Sequence, residues 1–342
     1  MKLHTSLDAF VKELEKRQRD IITRRFGITN TTPTTLAKLG EKYDITRERV
    51  RQIEAVGLKE LREVVRADQD MMALHEKCVA HIEKMGGVRR ADVLVDDLKF
   101  VLKDEELTAP YIDLLFAIVK KPQYHQETAD YYAFWYTDKE ALSANKKFVD
   151  KLATVLKGKK EMVMDREKFD QLFSQVIKQH QVQDFVALNF VLNSKKFSVN
   201  AYGDFGLSHW PEITPKTVRD KSYLVLKKRG EALHFKDIAE EINKVEFDAK
   251  KAHPQTVHNE LIKDERFVLV GRGLYSLQEF GIHPGTTKDV LGKILKDKGP
   301  LHVDTIVDLV SDQRILKRNT IVLNLQDKKR FKKLDGGMYH VA

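Results

Sequence analysis

Cysteine is almost absent: the 342-residue chain holds one, Cys78. No disulfide can close within it, and no cysteine-based zinc site or iron–sulfur cluster can be built. That usage fits a reducing compartment, the cytoplasm. Long apolar runs are missing too, none approaching the roughly 18 residues of a membrane helix. The first residues, "MKLHTSLDAFVKELEKRQRD", are amphipathic and charged, so they are not a signal peptide. A phosphate-cradling glycine loop and a nucleophile elbow are likewise absent, so no enzyme, cofactor, metal or small-molecule substrate is expected.

What the chain has is positive charge, with a formal net charge of +9 and a pI near 9.2. Its length exceeds one ordinary core, so two or more domains are expected. A basic surplus spread over folded domains favours an acidic partner, most commonly nucleic acid.

The densest information lies in "TLAKLGEKYDITRERVRQIEAVGLKEL", residues 35–61. On a helix from Arg47 at about 100° per residue, Val50, Ile53, Gly57, Leu61 and Val64 form one stripe. Arg47, Glu48, Arg51, Gln52 and Ala55 lie on the nearly opposite face. Thr46 is a good N-cap, and Glu48 suits the first turn. Thr35 can cap a shorter helix carrying Leu36, Ala37 and Leu39, with Gly40 allowing close packing and Tyr43 and Ile45 plugging the connection. Two short helices and a tight turn make a helix-turn-helix. Arginine chelates guanine, glutamine pairs with adenine and glutamate accepts from cytosine, so the polar face has the chemistry of base readout. The competing reading is an ordinary solvated face with ion pairs such as Arg51 to Glu54.

The segment closely resembles region four of housekeeping-type bacterial sigma factors, especially in "TRERVRQIE". "EKRQRDIITRRFGI", residues 15–28, is similar to the first half of that region. The resemblance covers roughly the first 65 residues and implies that the second helix reads the minus-thirty-five promoter element. By motif position it implies Arg47, Glu48 and Gln52 as base readers, with Thr46, Arg49 and Arg51 near phosphates. Gly57 stands where the family usually has a small non-glycine residue, which should loosen the helix by roughly 1 kcal/mol. Only about 14 residues precede the resemblance, so a complete initiation factor with a promoter-melting domain is not expected.

The C-terminal half repeats itself. "GEALHFKDIAEEIN" with "RFVLVGRGLYSL" is echoed by "KGPLHVDTIVDLVSD" with "RFKKLDGGMYHV". Arg266-Phe267 aligns with Arg330-Phe331, Gly273 with Gly337 and Tyr275 with Tyr339. Each unit reads helix, short strand, helix, helix, hairpin, which is a winged helix with a glycine-set wing. The first unit resembles the HARE helix-turn-helix domain of the RNA polymerase delta subunit, chromatin regulators and restriction enzymes. That resemblance implies nucleic-acid or transcription-complex binding. "HIEKMGGVRRADVLVDDL" with "YYAFWYTD", and the wing-like "KKFSVNAYGDFGLSHWPEITP", read as two further, degenerate copies. The expected architecture is mainly α with small β wings: a helix-turn-helix at 1–68, then winged-helix-like modules at 70–140, 146–212, 213–281 and 284–342. Pro211, Pro215, Pro284 and Gly285 fit the joints.

Secondary sites follow. Arg272 in the first wing and Lys328, Lys329, Arg330 and Lys332 before and on the last wing suit phosphate contact, Lys333 extending that run. The alternative is a solubilising lysine edge. His234 and His302 recur at matching positions but lack a second ligand at metal spacing. Tyr131, Tyr132, Phe134, Trp135 and Tyr136 suit a wing's core and rim better than base stacking. Asp248 and Lys250, although spaced like a nuclease pair, sit in a charged connector and carry no assigned catalysis.

The expected protein is a bacterial or phage DNA-binding transcription protein of the cytoplasmic nucleoid. It acts on double-stranded DNA together with RNA polymerase, with no membrane partner. One alternative is an accessory polymerase subunit using the modules for docking, although the acidic tail of the delta subunit has no counterpart. The other is a DNA-cleaving or DNA-modifying enzyme.

Overall fold

The computed structural model describes residues 2–28, 32–159 and 166–342, with the backbone alone for 166–168. The chain divides into two compact units, Met1–Ser198 with Phe205–Ser208, and Val199–Asp204 with His209–Ala342.

The first unit opens with α1 (Leu3–Glu13), α2 (Lys16–Phe26), α3 (Leu36–Tyr43) and the long α4 (Arg47–Ala67). A small core of Ile21, Leu39 and Val50, edged by Tyr43 and Ile45, closes the α2–α3–α4 corner as the sequence pattern requires. Gly57 is where α2 comes close. A β-carbon there would stand 2.7 Å from Ile22 Cδ1, so the glycine that weakens the helix is what lets the two helices meet. Val64, expected on the buried stripe, is instead 37% exposed, and Val65 is buried. Val65 lies about 40° around the helix from Leu61 and Val64 about 60°, so the four-residue step keeps to the core side.

α4 runs into α5 (Gln69–Lys84), then β1 (Val88–Arg90), α6 (Ala91–Leu102), α7 (Ala109–Val119), β2 (Gln123–His125) and β3 (Phe134–Tyr136). The strands pair in the order β1-β3-β2. One apolar core joins this winged-helix order to the first helices: Leu3, Leu7, Ile22, Leu61 and Val65 share it with Cys78, Leu94, Ile112, Phe116 and Trp135. Burial pushes the Cys78 thiol up to about 12, which makes it an inert core group. The aromatic run is wing core and rim: Tyr131, Phe134 and Trp135 are buried, and Tyr132 lies at the surface.

α8 (Lys139–Lys157), α9 (Arg166–His180), α10 (Asp184–Leu192), β4 (Phe197–Val199) and β5 (Phe205–Leu207) supply the next set of helices and hairpin. Residues 160–165 of the expected 146–212 module lie outside the described residues. Asn189, buried on α10, donates to the carbonyls of Met85 and Val88 at 2.8 and 2.7 Å and accepts from Arg89 at 2.9 Å, tying these helices to β1.

The second unit carries two copies of one plan. The first is α11 (Val218–Arg229), β6 (Leu233–His234), α12 (Phe235–Val245), α13 (Pro254–Lys263), β7 (Phe267–Gly271) and β8 (Leu274–Leu277). The second is α14 (Thr287–Lys298), β9 (Leu301–His302), α15 (Val303–Ser311), α16 (Arg318–Leu325), β10 (Phe331–Lys333) and β11 (Met338–Val341). Leu233 pairs with Tyr275 in one sheet and Leu301 with Tyr339 in the other, so the repeat in sequence is a repeat in register. Each copy has its own core, Leu226, Ile238, Leu261 and Tyr275 in the first, and Leu295, Ile306, Leu325 and Phe331 in the second. The expected joint at Pro284 and Gly285 is pinned. Buried Arg314 donates to the carbonyls of His283 and Gly285 at 2.5 and 3.2 Å, and Ile315 N donates to Val270 O at 2.7 Å.

Candidate nucleic-acid interface

α3 stops because Asp44 adopts a left-handed conformation, φ 51°, and Ile45 N donates back to Gly40 O at 3.0 Å. A β-carbon on Gly40 would lie 2.7 Å from Ile45 O, so this tight turn requires glycine. Thr46 then caps α4, its hydroxyl accepting from Arg49 N at 3.1 Å. These local rules place the first two turns of α4 on the surface, with Thr46, Arg47, Glu48, Arg49, Arg51 and Gln52 all exposed.

The polar side chains are organised among themselves. Arg51 donates to Glu48 twice, at 2.9 and 2.6 Å, and this contact holds the Glu48 carboxyl below its usual range and raises Arg51. Arg49 donates to Gln52 at 3.2 Å. Arg47 makes no hydrogen bond or ion pair among the described residues. The pair that sequence spacing suggested, Arg51 with Glu54, is not formed. Glu54 turns to Arg25 at 3.5 Å, and burial raises its carboxyl. The expected base readers Arg47, Glu48 and Gln52 therefore share one exposed face with Arg51, while Arg49 stands about 160° around the helix from Arg47, and two local pairs brace these side chains.

Arg17 of α2 shares a cleft with Arg49 and Gln52 of α4, and the cations of α2 and α3 around it received no role from sequence reasoning. Lys16, Arg17, Arg19 and Lys42 line a cleft of about 1010 Å³ that also holds Tyr43. Arg17 and Lys42 stand 5.6 and 5.0 Å from the Tyr43 ring, and Lys42 pairs with Asp20 at 3.0 Å. The signal was present in "EKRQR", residues 15–19, which entered only as the start of the segment similar to the first half of sigma region four.

The remaining expected sites are dispersed. Arg272 is exposed at the tip of the β7–β8 wing, where Gly273 takes φ 72°. Lys328, Lys329 and Arg330 form the turn before β10, and Lys332 lies exposed on that strand. Arg330 differs from its neighbours in pairing with Asp289 at 2.7 Å. His234 caps α12 by accepting from Lys236 N at 3.4 Å. Asp248 pairs with Lys221 at 2.7 Å and accepts from Lys250 N, so these residues form a local turn. No group of three or more metal-ligating side chains occurs among the described residues.

The helix preceding each hairpin has its own chemistry. α7 is apolar and packs against α4, with Leu114, Leu115, Phe116 and Ile118 buried and Arg62 of α4 donating to Ile118 O at 2.5 Å. α10 is apolar too, yet Phe185, Leu188 and Leu192 are each about half exposed. α13 shows Gln255, Thr256 and Asn259 to solvent, and α16 shows Arg318, Asn319 and Thr320.

These are helix-turn-helix folds, and family comparison agrees with the geometry. Residues 11–63 match the family described as Sigma-70, region 4, and residues 216–280 match HARE-HTH, the helix-turn-helix domain whose description names ASXL and restriction endonuclease. Among curated proteins, the RNA polymerase sigma factor RpoD of Neisseria gonorrhoeae is 42% identical over 71 residues, which is 20% of this chain and 11% of the relative. The RNA polymerase sigma-C factor of Nostoc sp. (strain PCC 7120 / SAG 25.82 / UTEX 2576) is 43% identical over 61 residues, 18% of this chain and 15% of the relative. The chain thus spans only 11–15% of the length of these two relatives. No helix among the described residues is long and apolar enough to cross a membrane.

Proposed function

We propose that the protein is a sequence-specific DNA-binding transcription factor that works with RNA polymerase. One observation carries this reading: the exposed face of α4, with Arg47, Glu48, Arg51 and Gln52, set at the start of the second helix of a helix-turn-helix. Residues at that position enter the major groove most deeply. In this reading Thr46, Arg49 and the α2 cations contact the neighbouring phosphate backbone, and Arg272, Lys328, Lys329 and Lys332 add backbone contacts from the second unit. Binding alone is the proposed mechanism, at the nucleoid, with no chemistry performed on the DNA. Site selection from random duplexes should return one motif. Arg47→Ala or Gln52→Ala should cost about 1–3 kcal/mol on the best site and relax one base position. An unchanged motif in both variants would overturn the assignment. Supercoiled plasmid incubated with the protein and magnesium should stay supercoiled, and nicking would favour an enzyme.

The apolar face of α10 favours a second reading, in which the central modules dock protein and the chain serves as an accessory polymerase subunit. Leu188→Gln with Leu192→Gln should then abolish retention on purified RNA polymerase while leaving DNA binding intact.

A further inference from the structure

The two copies in the second unit act as controls for one another. α11 and α14 have the same 12-residue length, start from Thr217 and Thr286, and are followed by Gly230 and Gly299. Both start with a capping box whose aspartate also meets an arginine just ahead of the hairpin, Asp220 with Arg266 at 3.5 Å and Asp289 with Arg330 at 2.7 Å. One position between these landmarks differs in kind. Tyr223 of α11 is 8% exposed, with Arg266 and Lys227 standing 5.1 and 5.2 Å from its ring centre. Its hydroxyl donates to Glu279 at 2.9 Å. In α14 the same position is Gly292, and a β-carbon there would meet nothing within 4 Å. Arg330 and Lys296, the counterparts of Arg266 and Lys227, now border an open cleft of about 490 Å³.

Charge around this cleft differs between the copies as well. Asp264, Glu265, Val268 and Leu269 of the first copy correspond to Lys328, Lys329, Lys332 and Lys333 of the second. The shared fold therefore has no need of cations there. Lys296, Lys328, Lys329, Lys332 and Lys333 have no ion-pair partner among the described residues, and Lys293, which also lines the cleft, contacts only His283 at 3.2 Å. Of these, Lys293, Lys296 and Lys329 line the cleft, together with Asp289, which Arg330 holds, and Asp297. A missing aromatic ring, the two cations that flank it and these three ammonium groups together define a ligand with a planar ring and an anionic group.

We propose that this cleft binds a nucleotide, the base taking the place that Tyr223 fills in the first copy and the phosphate lying on Lys293 and Lys329. Arginine stacking on a π face and lysine contact with phosphate are the standard recognition chemistry for such a ligand, and the volume suits one nucleotide. The source is either a free mononucleotide or an unpaired residue of a single strand. The proposal stands apart from the role of α4 and is tested in an Arg47→Ala, Gln52→Ala background of the full chain. Adenosine 5′-monophosphate is titrated by calorimetry, a labelled 12-nucleotide oligothymidine by fluorescence anisotropy, and inorganic phosphate serves as control. Gly292→Tyr, which refills the cleft as in the first copy, should weaken binding at least tenfold. Gly292→Ala should stay within twofold of the parent, and Lys329→Glu should lose at least fivefold. Binding of the mononucleotide identifies the free source, and binding of the oligonucleotide alone identifies the strand. Absence of both, equal affinity of parent and Gly292→Tyr, or phosphate binding as tight as the nucleotide would each overturn the proposal. If Gly292→Tyr fails to fold, full affinity in Lys329→Glu overturns it equally.

Discussion

Gly57 sets intrinsic helix propensity against packing. Alanine would favour α4 by about 1 kcal/mol. Its β-carbon would also stand 2.7 Å from Cδ1 of the fully buried Ile22, which must shift, and overpacking of that kind costs roughly 1–3 kcal/mol. Gly57→Ala should therefore destabilise the protein, and Ile22→Val, which removes the obstructing methyl, should rescue it. Urea denaturation of both single variants and the double should give a coupling of about 1 kcal/mol, and simple additivity would refute the account. Asp113 on α7 poses a second residue-scale test. Burial raises its carboxyl to about 6, against an ordinary value of 3.8. The folded state then binds more protons than the unfolded chain between those values, so Asp113 lowers stability as pH rises from about 4 to 6. Asp113→Asn should raise stability at pH 7 by roughly 1–3 kcal/mol and remove that part of the pH dependence. A flat difference between the variants from pH 4 to 7 would show that Asp113 is not the titrating group.

At the scale of elements, the basic run before the last hairpin holds two kinds of cation. Arg330 fastens the turn to the capping box of α14, as Arg266 does in the preceding copy, and with Thr286 it holds Asp289 at about 2. Because that carboxyl is depressed, the clasp is fully present above about pH 4 and is lost as pH falls toward 2. Lys328, Lys329 and Lys332 fasten nothing. Arg330→Gln should therefore cost about 0.2–1 kcal/mol of stability, as expected of an exposed pair, and lower the midpoint of thermal unfolding slightly. The triple change of Lys328, Lys329 and Lys332 to glutamine should leave the midpoint unmoved. If all four cations prove equal in a thermal scan, Arg330 is no clasp.

For the whole molecule, the question is where folding units end and how far they cooperate. Leu61 and Val65 of α4 are buried in the core that also holds Ile112, Phe116 and Trp135. A fragment of residues 2–67 leaves that face bare and should not unfold cooperatively, whereas 2–138 should. Residues 213–342 contain both repeated cores and the Arg314 joint and should fold alone. Circular dichroism of the three fragments decides the matter, and a cooperatively folded 2–67 would show that α4 needs no support from α7. If both units touch one DNA molecule, tethering strengthens binding without new base readout. Changing Lys328, Lys329, Arg330 and Lys332 to glutamine should then weaken all sequences about equally. The salt dependence should flatten by roughly 0.9 per lost phosphate contact. An unchanged slope would assign these lysines another partner.

Local signals determined much of this protein on their own. The caps at Thr35 and Thr46, the glycine in the α3–α4 turn and the tyrosine–glycine hairpins act within a few residues, so the helix-turn-helix and the repeated wings were legible in sequence. The exposed face of α4 was legible for the same reason, since helical periodicity fixes which side chains share a side. Tertiary structure decided what depends on residues far apart in the chain. It turned Glu54 toward Arg25, brought Ile22 onto Gly57, and buried α7 against α4. It also separated Arg330 from the lysines beside it. A helix's chemistry is written in its own residues, but which of its faces remains in water depends on the elements that pack against it.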